Sequence, residues 1–299
     1  RAQGMQHRTP ALSGAGTGYA NTFTEGGSAV SLVNASGANL ADVDSVLFRQ
    51  LTLSFTQTAF PDGADEKLQV AGSTLALSLN AVPASGSFAI GTDNYSYTSS
   101  VTSGVLTLVF KGSAGATLST AQAEALLDAL RYENTSENPT GGSARVFSLS
   151  VTDNAGLASN LTSSTLTVVP VNDAPVLDLD ADNSSTATGA DYKGSFKVGG
   201  AASAIADTDS AVTDVDSVNM ASATIVLTNA KAGDSLSLLG SLPAGITASV
   251  PAAATADGSL TLTLTGAATK AAYETALESI RFSTTGTNYT SRVLTVVMS

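Results

Sequence analysis

Apolar and polar residues alternate with a period of two in eight stretches of the chain. These are "LFRQLTLSF" (47–55), "GSTLALSLN" (72–80), "GVLTLVF" (104–110), "RVFSLSV" (145–151), "STLTVVPV" (164–171), "ASATIVLTN" (221–229), "SLTLTLTG" (259–266) and "RVLTVVMS" (292–299). Such alternation reads as half-buried β-strands. Many short strands separated by Gly, Asn, Asp and Ser turns predict an all-β sandwich. Two stretches follow the helical period instead. "LSTAQAEALLDALRY" (118–132) puts Ala123, Leu126, Leu127 and Leu130 on one face, and Ser119 with Gln122 forms a capping-box pattern. "ATKAAYETALESIRF" (268–282) puts Tyr273, Leu277 and Ile280 on one face. Each predicts a short helix running directly into a strand.

The helices expose an internal repeat. "ALLDALRYENT" superposes on "TALESIRFSTT" at an offset of 150, and "LADVDSVLFRQLTLSF" (40–55) on "VTDVDSVNMASATIVL" (212–227) at 172. The difference of 22 residues predicts an insertion in the first copy, within about 60–100. The organisation is then a segment or linker remnant at 1–8, a first sandwich at 9–175 and a second at 176–299. Aligning Arg145 with Arg292 leaves residues 153–175 of copy one without a counterpart, including a last strand. An unpaired edge is a liability for a sandwich. The sequence therefore leaves two expectations: a fragment boundary, or a strand supplied by another copy. Residues 1–12 are the obvious donor, although "RAQGMQHRTPAL" alternates poorly.

Of 299 residues, 25 are Asp or Glu and 13 are Lys or Arg, a net charge of −12. That balance argues against partners made of nucleic acid or anionic membrane. No apolar run approaches the roughly 20 residues of a membrane helix. Cysteine is absent, which excludes disulfides, thiolate catalysis and Cys-type metal sites. Asp42–Val43–Asp44 and Asp214–Val215–Asp216 recur at the same place in both copies, each followed by Ser-Val. In a loop, D-x-D aims two carboxylates at one hard cation such as Ca²⁺. In "VNDAP" (171–175), Pro175 fixes φ and holds Ala174 extended, and Asn172 and Asp173 offer oxygens at the seam. An ion held by them and Asp214/Asp216 would join neighbouring repeats into a rod.

The order "TFTEGGSAVSL", "ADVDSVLF", "GVLTLVF", "ALLDALRYENTSENPT", "ARVFSLSVTDNAGLASN" and "VNDAP" resembles the cadherin-like repeats of large bacterial surface adhesins, including RTX-type adhesins. The resemblance covers nearly the whole chain, once completely and once truncated. It implies immunoglobulin-like sandwiches joined end to end, Ca²⁺ at the junctions, and secretion to the bacterial cell surface. It also implies further carboxylate ligands at Glu25 and Asp153. The second copy departs from it: Val198 stands at the Glu25 position, with Asp207 and Asp209 as possible substitutes. Before copy one, His7 and Arg8 replace the Asn–Asp pair, and Arg8 is expected to pair with Asp42 or Asp44.

Enzyme chemistry finds little support. One histidine, His7, lies in a poorly patterned terminus, and no G-x-S-x-G, HExxH or P-loop occurs. Asp62, Asp65 and Glu66 read as a solvated loop. The expected function is a non-enzymatic extender of a secreted adhesin. Two rivals are a filament or sheath subunit assembled by strand addition between copies, and a module binding surface or matrix polysaccharide. Tyr95 and Tyr97, two residues apart on one strand face, together with the insertion, are what favours the last.

Overall fold

A computed structural model of the chain describes residues 11–13, 18–34, 39–78 and 80–299, with side chains from residue 18 onward. The proposed Arg8 pairing, His7 and most of the candidate donor 1–12 lie outside the described residues. The chain divides into two compact units, Arg1–Val171 and Asn172–Ser299. Both are all-β sandwiches carrying one short α-helix each. No helix among the described residues is long and apolar enough to cross a membrane.

The first unit runs β1 (Ala11–Ser13), β2 (Gly18–Thr24), β3 (Val30–Ser31), β4 (Asn39–Ala41), β5 (Leu47–Thr56), β6 (Glu66–Val70) and β7 (Ser73–Ala76). It continues with β8 (Ser85–Ile90), β9 (Asp93–Thr102), β10 (Val105–Gly112), β11 (Leu118–Ser119), α1 (Thr120–Ala129), β12 (Leu130–Asn134), β13 (Arg145–Asp153) and β14 (Thr162–Val169). One sheet has the order β2-β14-β13-β5-β10-β9-β8, with β11 also on β5. The other is β3-β12-β6-β7, and β1 pairs with β4. The inward residues of both sheets form one core. Phe147 of the larger sheet meets Tyr132 of the smaller at 6.3 Å, and Phe23 meets the same ring edge-on at 5.7 Å. Along β13 every second residue is buried, as the alternation requires. Helix α1 starts at a complete capping box: Ser119 Oγ accepts from Gln122 N–H, and the Gln122 side chain accepts from Ser119 N–H. Its Ala123, Leu126 and Leu127 close one end of the core.

The second unit runs β15 (Val176–Asp178), β16 (Ser203–Ala204), β17 (Ala211–Thr213), β18 (Asn219–Ala230), β19 (Asp234–Leu238) and β20 (Thr247–Ser249). Then come β21 (Gly258–Thr269), α2 (Lys270–Glu278), β22 (Ile280–Thr284) and β23 (Leu294–Met298). Its sheets are β20-β21-β18-β23, β16-β22-β19 and β15-β17. Ile225 and Leu262 of the first meet Leu236 and Ile280 of the second in a core closed by Tyr273 and Leu277 of α2.

Strand registers align the copies. Leu68 pairs with Tyr132 and Leu236 with Phe282, so β6 matches β19. Phe110 faces Leu51 and Leu264 faces Ala223, so β10 matches β21. The extra residues of copy one thus fall in several places. Most lie between β6 and β10, where β7, β8 and the long β9 stand against the short β20.

Candidate metal-binding loops

Asp42 and Asp44 sit in the loop between β4 and β5, and Asp153 ends β13. The local fold is an Asx turn: Asp42 Oδ1 accepts from Asp44 N–H at 3.2 Å. Asp153 has no exposed surface. Its Oδ1 accepts from the N–H groups of Gly156 (2.6 Å) and Leu157 (2.7 Å), which fixes the carboxylate. Its Oδ2 is buried without a hydrogen-bond partner, and so is Asp42 Oδ2. Burial first, then a side-chain contact with Asp44, then the charges of Asp44 and Asp153 push the Asp42 carboxyl above its ordinary range. Three acids thus share one neighbourhood, although they do not close to the mutual 4.8 Å spacing of a preformed triad. Glu25, after β2, is tied differently: its Oε2 accepts from Val171 N–H at 2.7 Å, while Oε1 is buried without a partner.

In the second unit Asp214 Oδ1 accepts from Asp216 N–H (3.3 Å) and Ser217 N–H (2.7 Å). Asn172 and Asp173 of "VNDAP" meet this loop within the unit. Asp173 N–H donates to Asp216 Oδ2 at 3.0 Å, and Ser217 Oγ lies 3.4 Å from Asn172 Oδ1. Asp173 Oδ2 and Asp216 Oδ1 are buried without partners. Here the chain also supplies a cation of its own. Lys270 Nζ donates to the carbonyls of Asp214 (2.8 Å) and Ser217 (3.0 Å). The Ser217 N–H holds the Asp214 carboxyl below its usual range, and Lys270 adds to the effect. The two D-x-D loops are therefore unequal, because Thr120 stands in copy one where Lys270 stands in copy two.

The tightest carboxylate group within either unit combines Asp180, Asp182, Asp207 and Asp209, whose ligand oxygens all lie within 4.8 Å. Asp180 is fully buried and accepts from the N–H groups of Ser184 (3.0 Å) and Ser185 (2.9 Å). Asp209 Oδ2 accepts from Asp182 N–H at 2.8 Å, and its Oδ1 is buried without a partner. Asp207 and Asp209 are the two acids read from the sequence as substitutes for Glu25. Asp180 and Asp182 escaped that reading, although the D-x-D spacing of "DLDADNS" was a visible signal.

Two sequence readings are corrected. Asp62 and Glu66 do not form a solvated loop. Glu66 is buried, with Oε1 accepting from Arg145 Nε (3.0 Å) and Nη2 (2.7 Å), and Arg145 Nη2 also reaches Asp62 at 2.9 Å. The same lock recurs in copy two between Arg292 and Asp234, where Nη2 donates to Oδ1 at 3.0 Å. Tyr95 and Tyr97 offer no platform for a sugar. Both are buried, Tyr95 stacks on Phe88 at 5.5 Å, and its hydroxyl donates to Gln122 O. The alternation that put them on one strand face put that face inward.

No protein-family model and no curated protein matches the chain. Among solved structures it is similar to one described as "D00-D0 domain of Intimin", at 12% identity over 97% of this chain and 98% of that one, with a TM-score of 0.23. The fold assignment therefore rests on the sheets themselves.

Proposed function

We propose that the chain is a structural extender of a secreted, surface-displayed bacterial adhesin, with tandem sandwiches stiffened by calcium at their acidic loops. The observation that carries this reading is Asp153: a wholly buried carboxylate with one oxygen unpartnered, beside an Asp42 whose Oδ2 is unpartnered as well. A buried charge without a partner is unfavourable by several kcal/mol, and acids in that position neutralise or hold a metal. Apart from Ser164 Oγ, the orphaned side-chain oxygens among the described residues are carboxylate oxygens, the hard donors that Ca²⁺ takes. Asp42, Asp44 and Asp153 would hold an ion in the first unit. In the second unit, Asp173 and Asp216 keep orphaned oxygens at the proline-stiffened start of the unit. A cation there, held with Asn172 and Asp214, would fix the segment where one repeat hands over to the next, as the cadherin-like resemblance implies. Bound calcium supplies only charge neutralisation and cross-linking here; no reaction is involved.

Small-angle scattering of the full chain tests the stiffening. The expected outcome is a narrower distribution of interatomic distances in millimolar calcium than in chelator. Identical distributions would contradict the extender reading.

A further inference from the structure

Helix and acidic loop are held in the same relation in both units. Ser119, just before α1, pairs with Leu47 at the start of β5, and Thr269, just before α2, pairs with Asn219 at the start of β18. Glu124 of α1 accepts from Leu40 N–H at 3.0 Å, and Glu274 of α2 accepts from Val212 N–H at 2.8 Å. Both ties obey the offsets of the repeat, 150 on the helix side and 172 on the loop side. The helix cap recurs as well: Thr269 Oγ1 accepts from Ala272 N–H, as Ser119 Oγ accepts from Gln122 N–H. The loops share "DVDSV" and the same Asx turn, with Asp44 N–H on Asp42 Oδ1 and Asp216 N–H on Asp214 Oδ1.

Within this common frame the first helical residue differs. Lys270 opens α2, and Thr120 opens α1. Lys270 is half-buried, with Nζ donating to Asp214 O at 2.8 Å and to Ser217 O at 3.0 Å. The corresponding carbonyls of the first loop belong to Asp42 and Ser45, and Thr120 brings them no charge. Two carbonyls in a loop with paired carboxylates form an oxygen set that suits an ammonium or a hard metal ion. The carboxylates register the difference. Ser217 N–H first, with Lys270 adding to it, holds Asp214 below the usual range, whereas burial first pushes Asp42 above it. Asp42 Oδ2 and the Oδ2 of the wholly buried Asp153 are the oxygens left without a partner beside the first loop.

We infer that the residue opening the helix decides how each unit obtains its positive charge: Lys270 is a tethered substitute for calcium at the Asp214 loop, and Thr120 leaves the Asp42 loop to a free ion. The inference rests on the calcium reading and adds a determinant to it. As part of the chain, the ammonium is at its loop at any calcium concentration. It also repels a divalent ion from Asp214 and Asp216. One positive charge a few ångströms from a divalent ion weakens its binding by about tenfold even in water-like surroundings. A fall in calcium then loosens the first unit's loop before the second's.

Backbone amide exchange of the full chain, in chelator and in millimolar calcium, tests this at Asp44 in the first loop and at Asp216 and Ser217 in the second. In the unmodified chain, calcium should slow exchange at Asp44 by about tenfold or more and change the second loop far less. K270T should speed exchange of the second loop in chelator, and calcium should then restore its protection. T120K should slow the first loop in chelator and remove its response to calcium. K270R keeps the charge and should behave as the unmodified chain. A lysine that merely caps carbonyls predicts a K270T loop that calcium does not restore, and a T120K loop that responds to calcium as before. Either result, in a chain whose unmodified first loop responds to calcium, overturns this inference alone. An unmodified first loop indifferent to calcium overturns the calcium reading and this inference with it.

Discussion

Arg145 is the largest side chain wholly buried in the first unit, and all its donors are used. It anchors β13 to β6 through Glu66, to the loop before β6 through Asp62, and to the loop before β13 through the carbonyls of Thr140 and Ser143. One guanidinium faces two carboxylates, so the site carries surplus negative charge. Burial pushes the Glu66 carboxyl up to about 7, against the opposing pull of Arg145. A folded value above the unfolded one contributes stability below pH ~4.5, lost as the pH rises through about 7. The first unit should therefore lose stability as the pH rises from about 4.5 to about 7 (the window between those two values), and E66Q should remove that slope. Equal slopes in thermal melts of the two proteins would contradict it. Replacing Arg145 with Met leaves both acids unpaired and should destabilise the unit by roughly 3–5 kcal/mol in denaturant unfolding. None of this was legible in the sequence. Asp62, Asp65 and Glu66 look like a polar loop, and the partner that buries two of them lies 79 residues beyond Glu66. By contrast Asp42, Asp44, Asp214 and Asp216 were legible because their spacing is local and repeats.

Elements were legible where their period is self-sufficient. The alternation in β5, β10, β13, β18 and β21 and the apolar faces of α1 and α2 each follow from a few adjacent residues. Helix α1 is also specified by its cap, so Ser119→Ala should lower the first unit's stability by about 1 kcal/mol in denaturant unfolding. No change would mean that the packing of Leu126 and Leu127 alone sets the helix start. What was not legible is pairing. "GYANTFT" and "DYKGSFK" share their aromatic positions, yet only the first is a strand, because only the first has β14 beside it. A strand exists by its ladder, and local residues cannot report a distant partner. The same reason hid the distribution of the extra residues in copy one among several loops.

At the scale of the molecule, 25 acids against 13 bases make self-repulsion a general term. The orphaned carboxylate oxygens concentrate it at particular loops in both units. Calcium bound to the folded chain and not to the unfolded one raises stability by mass action, by roughly 4 kcal/mol at a thousandfold excess over its dissociation constant. The loops should not respond equally. Lys270 already supplies positive charge at the Asp214 loop, whereas the equivalent position in copy one is the uncharged Thr120. The decisive measurement is the thermal unfolding of the full chain in millimolar calcium and in chelator, for the unmodified protein and for Asp153→Asn. A melting temperature raised by calcium, with most of the rise in the first unit's transition lost in D153N, is the expected result. Superimposable melts of the unmodified protein with and without calcium would contradict the account.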